Sequence, residues 1–195
     1  AAAKWEAVAL RAEAACGRPV LIGTQSVADS EALSLVLTAR GLPHVVLNAR
    51  QDAGEAEVLA RAGAPGRITV ATEMAGRGAD ILLAPGVAEA GGLHVILAGC
   101  HESARLDRQL FGRAGRQGDP GSYETVAARD DELFRRFAPR LAAVLARLRA
   151  PGGAALWLLR HRAQGGASSV HARRRHEQAS ADDQLQKALG FAGRE

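Results

Sequence analysis

Short apolar runs alternate with helix-length stretches through the first two thirds of this chain, and that alternation leaves few folds open. Pro19–Gly23, His44–Leu47, Arg67–Ala71 and Leu93–Leu97 are each bounded by turn or polar residues and read as strands. Ile81–Leu83 predicts a further short strand, and Tyr123–Ala127 a last one. Between them lie helical stretches, each with its own stop or start signal. Residues 4–16 end at Gly17, and Ser26 offers an N-cap to a helix through Leu33, Val36 and Leu37 that stops at Gly41. Glu55–Ala62 ends at Gly63, and Ser103–Phe111 starts a further helix. Strands and helices in this order make βαβ crossovers, hence an α/β fold with a mostly parallel sheet covered on both faces. Such sheets hold ligands at the carboxyl ends of their strands. Thr72–Asp80 and Gly99–Asp119 both leave strands at that end.

Past residue 128 the pattern becomes helical, so the expected division is 1–128 for the α/β domain and 129–195 for a helical extension. Asp130-Asp131-Glu132 places acid in a first helical turn, where the helix dipole favours it. Leu141, Val144, Leu145 and Leu148 recur on one face of a further helix, and Pro151-Gly152-Gly153 breaks it. Residues 164–169 read as a linker, and 182–191 as a last short helix.

Composition narrows the classes. With 195 residues there is room for one core and an appendage, and with 4% aromatics that core is aliphatic. The formal charge of +4 suits an anionic partner without choosing one. Cys16 and Cys100 form no CxxC pair, so neither a disulfide framework nor a zinc site is expected, and a reducing compartment is the default. His101-Glu102 lacks the second histidine of a zinc-protease helix, and there is no G-x-S-x-G elbow. No metal site is expected. The longest apolar run, Ala154–Leu159, is too short to span a bilayer, so the chain is expected to be soluble.

Two segments carry chemistry. In Gln109-Leu110-Phe111-Gly112-Arg113-Ala114-Gly115-Arg116-Gln117-Gly118-Asp119, the residues Gln109, Arg113 and Arg116 fall at i, i+4 and i+7, one stripe if the helix continues. Gly112 and Gly115 are costly inside a helix and suggest that something approaches the backbone closely. Two permanently charged, forked guanidinium groups suit a transferring phosphoryl group. The second segment, Ala71–Ile81, contains Gly76-Arg77-Gly78-Ala79-Asp80, in which a loop wraps an anion and a carboxylate accepts a hydroxyl such as that of a ribose. Alone, it reads as a surface turn; its order with the arginine segment is what makes it a candidate site.

Taken in order, Gly17–Thr24, Leu47–Arg50, Ala71–Ile81, Gly91–Ile96, His101-Glu102-Ser103 and Gln109–Ser122 resemble the second nucleotide-binding domain of SecA, the bacterial protein-export motor. The likeness runs over roughly residues 4–137, and 163–193 loosely resemble the family's helical scaffold. It implies a RecA-like domain of the helicase C-terminal type. It also implies that Arg113 and Arg116 reach the phosphates of ATP as catalytic groups, and that Gly76, Arg77, Gly78, Asp80, Gln109 and Asp119 bind the nucleotide. Glu73, Ala79, Cys100 and Phe111 depart from the family's usual Asn, Thr, Arg and Arg, which suggests a divergent member.

A Walker A loop needs Gly-Lys-Ser/Thr, yet Lys4 precedes Trp5 and Lys187 precedes Ala188. The expected arrangement is half of a composite ATP site, with Walker A and most of the Mg2+ coordination on another domain and this chain a fragment, split product or truncation. The implied partners are that first nucleotide-binding domain, the membrane protein-conducting channel and unfolded preprotein. An anionic membrane surface facing Arg160–Arg175 is a further candidate, and nucleic acid is not expected. The implied location is cytoplasmic, peripheral to the inner membrane. Two alternatives stay open: the C-terminal RecA-like domain of an RNA or DNA helicase, and a non-catalytic remnant that serves as a binding module.

Overall fold

Five strands, all parallel, form one sheet in the order β2-β3-β1-β4-β5: β1 (Val20–Thr24), β2 (His44–Leu47), β3 (Ile68–Thr72), β4 (Leu93–Ala98) and β5 (Gly121–Val126). This computed structural model describes residues 2–15, 17–47, 55–72, 80–148 and 152–192. Every residue of β1 and β3 is buried, as expected for strands covered on both faces. The register aligns Val20 with Ile68 and His94, and Thr24 with Thr72, so the two central strands end level.

Alternation along β1 sends its side chains into two cores. Val20 and Ile22 join Ile68, Val70 and Ile96 beneath α1 (Ala2–Ala14) and α2 (Val27–Ala39). Trp5, Val8, Leu33 and Leu37 supply the helical side of that core. Leu21 points the other way, to Leu47, Leu59, Leu93 and Val95, beneath α3 (Glu55–Arg61) and α4 (Ala104–Phe111). The predicted caps form: Ser26 Oγ accepts from Asp29 N at 3.1 Å, and Gly17 and Gly41 take φ of +79° and +67° where their helices end. Lys4 on α1 reaches Asp131 at 2.8 Å with both side chains nearly buried, tying the first helix to the turn after β5.

The α/β unit comprises residues 1–132 and a second unit 133–195. Three readings change here. Ile81–Leu83 is not a strand: Ile81 is buried but Leu82 is 65% exposed, and the segment packs on the end of α3, where Ala84 N donates to Gly63 O at 3.1 Å. Residues 164–169 are not a linker, and 182–191 are not a separate helix. Both lie within α7 (Gly152–Ala192). Ala163, Gln164 and Ala167 are buried, and a Cβ at Gly166 would lie 3.4 Å from Phe137 Cβ, so packing outweighs the poor helix propensity of glycine. On α6 (Pro139–Arg147) only Leu145 of the expected apolar face is buried, while Val144 and Leu148 are exposed. Among the described residues no helix is long and apolar enough to cross a membrane.

Gly66 and Gly92 separate backbone conformation from close approach. Both have positive φ, +66° and +68°, but a Cβ meets nothing at Gly66 and would lie 1.8 Å from Pro120 O at Gly92. Gly66→Ala is expected to cost about 1–2 kcal/mol, the left-handed penalty alone. Gly92→Ala adds a backbone overlap and is expected to cost about 2–5 kcal/mol in urea unfolding.

Candidate functional site

The carboxyl ends of β1 and β3 open on a cavity of about 320 Å³, within the range of small-molecule sites. Gly23, Thr24, Ala71 and Thr72 form its floor, and Thr24 Oγ1 donates to Ala71 O at 3.4 Å across the two strand ends. The wall comes from α4 and the segment after it. A Cβ at Gly23 would lie 2.3 Å from Leu110 Cδ2, so the bare glycine gives the Leu110 side chain of α4 room to pack directly on the strand end. That seat brings Gln109, Arg113 and Arg116 onto the same cavity.

They do not share a helical stripe. The helix ends at Phe111 with Gly112 as its C-cap, and Arg113 and Arg116 stand on the turns that follow. Gly115 and Gly118, beyond the helix end, have φ of +67° and +88° and turn the chain back toward β5. Gly112 therefore caps the helix and Gly115 lies in the turns that follow, neither in a helix interior. Phe111 stacks on Tyr123 with centroids 4.4 Å apart, joining the end of α4 to the edge strand.

Asp80 does not itself line the cavity but pairs with Arg116, which does. Arg116 Nη1 donates to Asp80 Oδ1 at 2.8 Å, Gln117 Nε2 to Oδ2 at 2.9 Å, and Arg116 Nε to Gly112 O at 2.7 Å. The hydrogen bond from Arg116 holds the Asp80 carboxyl below its usual range, its charge and the Gln117 amide add to this, and partial burial opposes them. Arg113 is shifted down, mainly by burial and then by the charge of Arg116, with Asp80 opposing. Asp119 is exposed and does not line the cavity; its backbone N donates to Arg116 O at 2.9 Å and closes the turn. Gly76, Arg77 and Gly78 lie outside the described residues, as do Glu73, Ala79, Asn48–Arg50 and Cys16.

Sequence reasoning passed over one pair. Asp107, in mid-helix between Leu106 and Arg108, is fully buried and accepts from His101 N at 3.0 Å and from His101 Nδ1 at 2.7 Å. The pair joins the end of β4 to α4, and His101 also lines the cavity. The available signal was an acidic residue in the first turn after the Ser103 cap.

Asp107→Ala is expected to cost about 2–4 kcal/mol in urea unfolding, because it removes two charge-assisted acceptances inside the protein. The Asp80–Arg116 pair has a pH signature of known sign. A carboxyl held below its unfolded value contributes above that value and loses its contribution as pH falls through the depressed one. Carboxyl carbon NMR is expected to show Asp80 titrating below an ordinary aspartate, and Arg116→Ala to return its midpoint toward about 3.9.

Comparison with known proteins places this geometry. The SecA P-loop domain model matches residues 1–87 and 84–153. The chain is 50% identical over 205 residues to protein translocase subunit SecA 2 of Nitrosospira multiformis, covering 99% of this chain and 30% of that protein. It is also 50% identical over 200 residues to SecA 2 of Bordetella avium, covering 98% and 30%. A third relative, SecA of Syntrophobacter fumaroxidans, is 50% identical over 150 residues, covering 75% and 18%. The chain thus spans less than a third of these curated relatives. Among solved structures it is similar in fold to the E. coli DEAD-box protein SrmB bound to RraA, with TM-score 0.53 and 20% identity over 70% of this chain and 78% of that one. It is likewise similar to Mss116p DEAD-box helicase domain 2 bound to an RNA duplex, with TM-score 0.50 and 19% identity over 68% and 52%. The sheet is therefore RecA-like, of the helicase type, and the chain belongs to the SecA family.

Proposed function

We propose that this chain is the second motor domain of a SecA-like protein translocase and contributes the arginine half of an ATP site shared with a Walker A-bearing first nucleotide-binding domain. The observation that carries the proposal is the meeting of Gln109, Arg113 and Arg116 on one cavity at the ends of β1 and β3. Their donors fit a polyphosphate: two forked cations and an amide within one concavity. Arg113 and Arg116 stabilise charge on the γ-phosphate as the catalytic pair, Gln109 hydrogen-bonds near them, and Asp80, Asp119, Gly76, Arg77 and Gly78 border the nucleotide. Most Mg2+ coordination falls to the partner domain. Among the described residues no group of three or more His, Cys, Asp or Glu could hold a metal ion.

Hydrolysis of ATP between the two domains changes how they close, and that motion drives unfolded preprotein through the membrane channel. The protein then works in the cytoplasm against the inner membrane. The acid-free, arginine-rich stretch before Glu177 suits the anionic membrane surface. Translocase relatives at half identity favour this reading over an RNA or DNA helicase, whose likeness here is one of fold.

The test is turnover in the complete assembly with the Walker A domain. Arg113→Ala and Arg116→Ala are each expected to lower kcat about 10²–10³-fold, with melting temperature unchanged. Stimulation by unfolded preprotein with channel-containing membranes supports the translocase. Stimulation by single-stranded RNA instead would support the helicase, and indifference of turnover to both arginines would support the remnant.

A further inference from the structure

Gln117 has an unusual backbone for its residue type. It is the non-glycine residue with positive φ among the described residues, at +54°, in a turn where Gly115 and Gly118 supply that conformation on either side. Asparagine and aspartate occupy this region more readily than glutamine, and glycine most readily of all. Something in the side chain offsets the backbone preference. Its amide donates to Asp80 Oδ2 at 2.9 Å, while Arg116 Nη1 donates to the other oxygen of the same carboxylate at 2.8 Å.

We propose that Gln117 is a positioning residue for the arginine pair: by occupying Asp80 Oδ2 it fixes the plane of the Asp80 carboxylate, and through it the guanidinium of Arg116. The chain of contacts is short. Arg116 is held at two points, Nη1 by Asp80 and Nε by Gly112 O at 2.7 Å. Those bonds use two of its five N–H donors and orient the rest. The Asp80 carboxylate also accepts a hydrogen bond from the Ile81 backbone, and the Gln117 amide adds a hold on Oδ2 beside the Arg116 bond to Oδ1. Held at both oxygens, the carboxylate presents a fixed acceptor edge.

The surroundings explain why a second hold is needed. Arg116 and Asp80 are each 38% exposed, and an ion pair so exposed contributes about 0–1 kcal/mol. The ion pair by itself restrains the guanidinium weakly, so the Nε bond to Gly112 O and the Gln117 bond behind Asp80 add to its orientation. Catalysis by charge stabilisation depends on donors already oriented before the charge develops. Gln117 lines no part of the cavity. Its role is therefore exerted through Asp80 and Arg116, which is why a position reading as a mere turn between two glycines carries an amide.

The inference rests on the ATP-site reading, and its test separates the two. Gln117→Gly keeps the positive φ and removes the amide, so it isolates the side chain from the turn. In the complete assembly with the Walker A domain, Gln117→Gly is expected to lower kcat about 5- to 20-fold with KM for ATP within about twofold. Its melting temperature should be unchanged or raised, and Gln117→Asn, which keeps an amide and tolerates the backbone, should recover part of the loss. In this chain alone, carboxyl carbon NMR should show the Asp80 midpoint rising in Gln117→Gly, by less than in Arg116→Ala. If Arg116→Ala impairs turnover while Gln117→Gly turns over like the parent, the positioning role is overturned and the ATP site stands. An unmoved Asp80 midpoint in Gln117→Gly also overturns it. If Arg116→Ala leaves turnover intact, both inferences fall together.

Discussion

The site depends on how α4 is seated on the end of the central strand. Gly23 lies next to last on the central strand β1, and a Cβ there would lie 2.3 Å from the Leu110 methyl of α4. With glycine in place the helix rests directly on the strand ends, and Leu110, Phe111 and Ala114 join the core beneath it. A Cβ at that position would meet the end of the Leu110 side chain, which would have to shift, so the Gly23–Leu110 contact is part of what seats α4 and the turns that carry Arg113 and Arg116. Steric contact of this kind is short-ranged and unforgiving, because interiors are packed as densely as organic crystals. The cationic wall of the cavity is therefore set by a packing contact and not by any charge.

A second close approach fixes the other end of the arginine segment. Gly92 lies against Pro120 O, and Gly121 against Gly115 N and Ala114. Nearby, Arg18 binds Gly91 O at 2.7 Å, Gly92 O at 3.0 Å and Ser122 Oγ at 2.8 Å, drawing the starts of β1, β4 and β5 together. His94 extends this network, reaching Ser122 Oγ at 2.8 Å and Glu124 at 3.1 Å. Between these two fixed ends the chain leaves α4, makes three positive-φ residues and enters β5. Such a loop has little freedom left, as a charge-presenting site requires.

Much of this was legible from the residues. The apolar runs, the Ser26 cap and the glycine stops located all five strands and the helices between them, because those signals are local. The run Ile81–Leu83 misled for a physical reason. Three apolar residues announce burial but not a pairing partner, and Gly63 offered backbone contact where no strand edge was near. The helical stripe through Gln109, Arg113 and Arg116 misled in another way: i, i+4, i+7 spacing holds only while the helix lasts, and Gly112 ends it. The three residues still meet, since a turn after a helix end can carry side chains to the same cavity.

The sequence by itself determined the parallel α/β class, the two segments of interest and the kind of ligand that forked cations suit. Periodicity, turn residues and side-chain chemistry are properties of neighbouring residues, so they survive without coordinates. Tertiary structure alone decided that Asp80 is shared by Arg116 and Gln117 across 36 and 37 positions, that Asp107 is buried against His101, and that the glycines of 164–169 run on as helix. Each of these depends on which surfaces pack together. A buried charge or a glycine within a helix is stabilised by partners distant in the chain, and no local pattern names them.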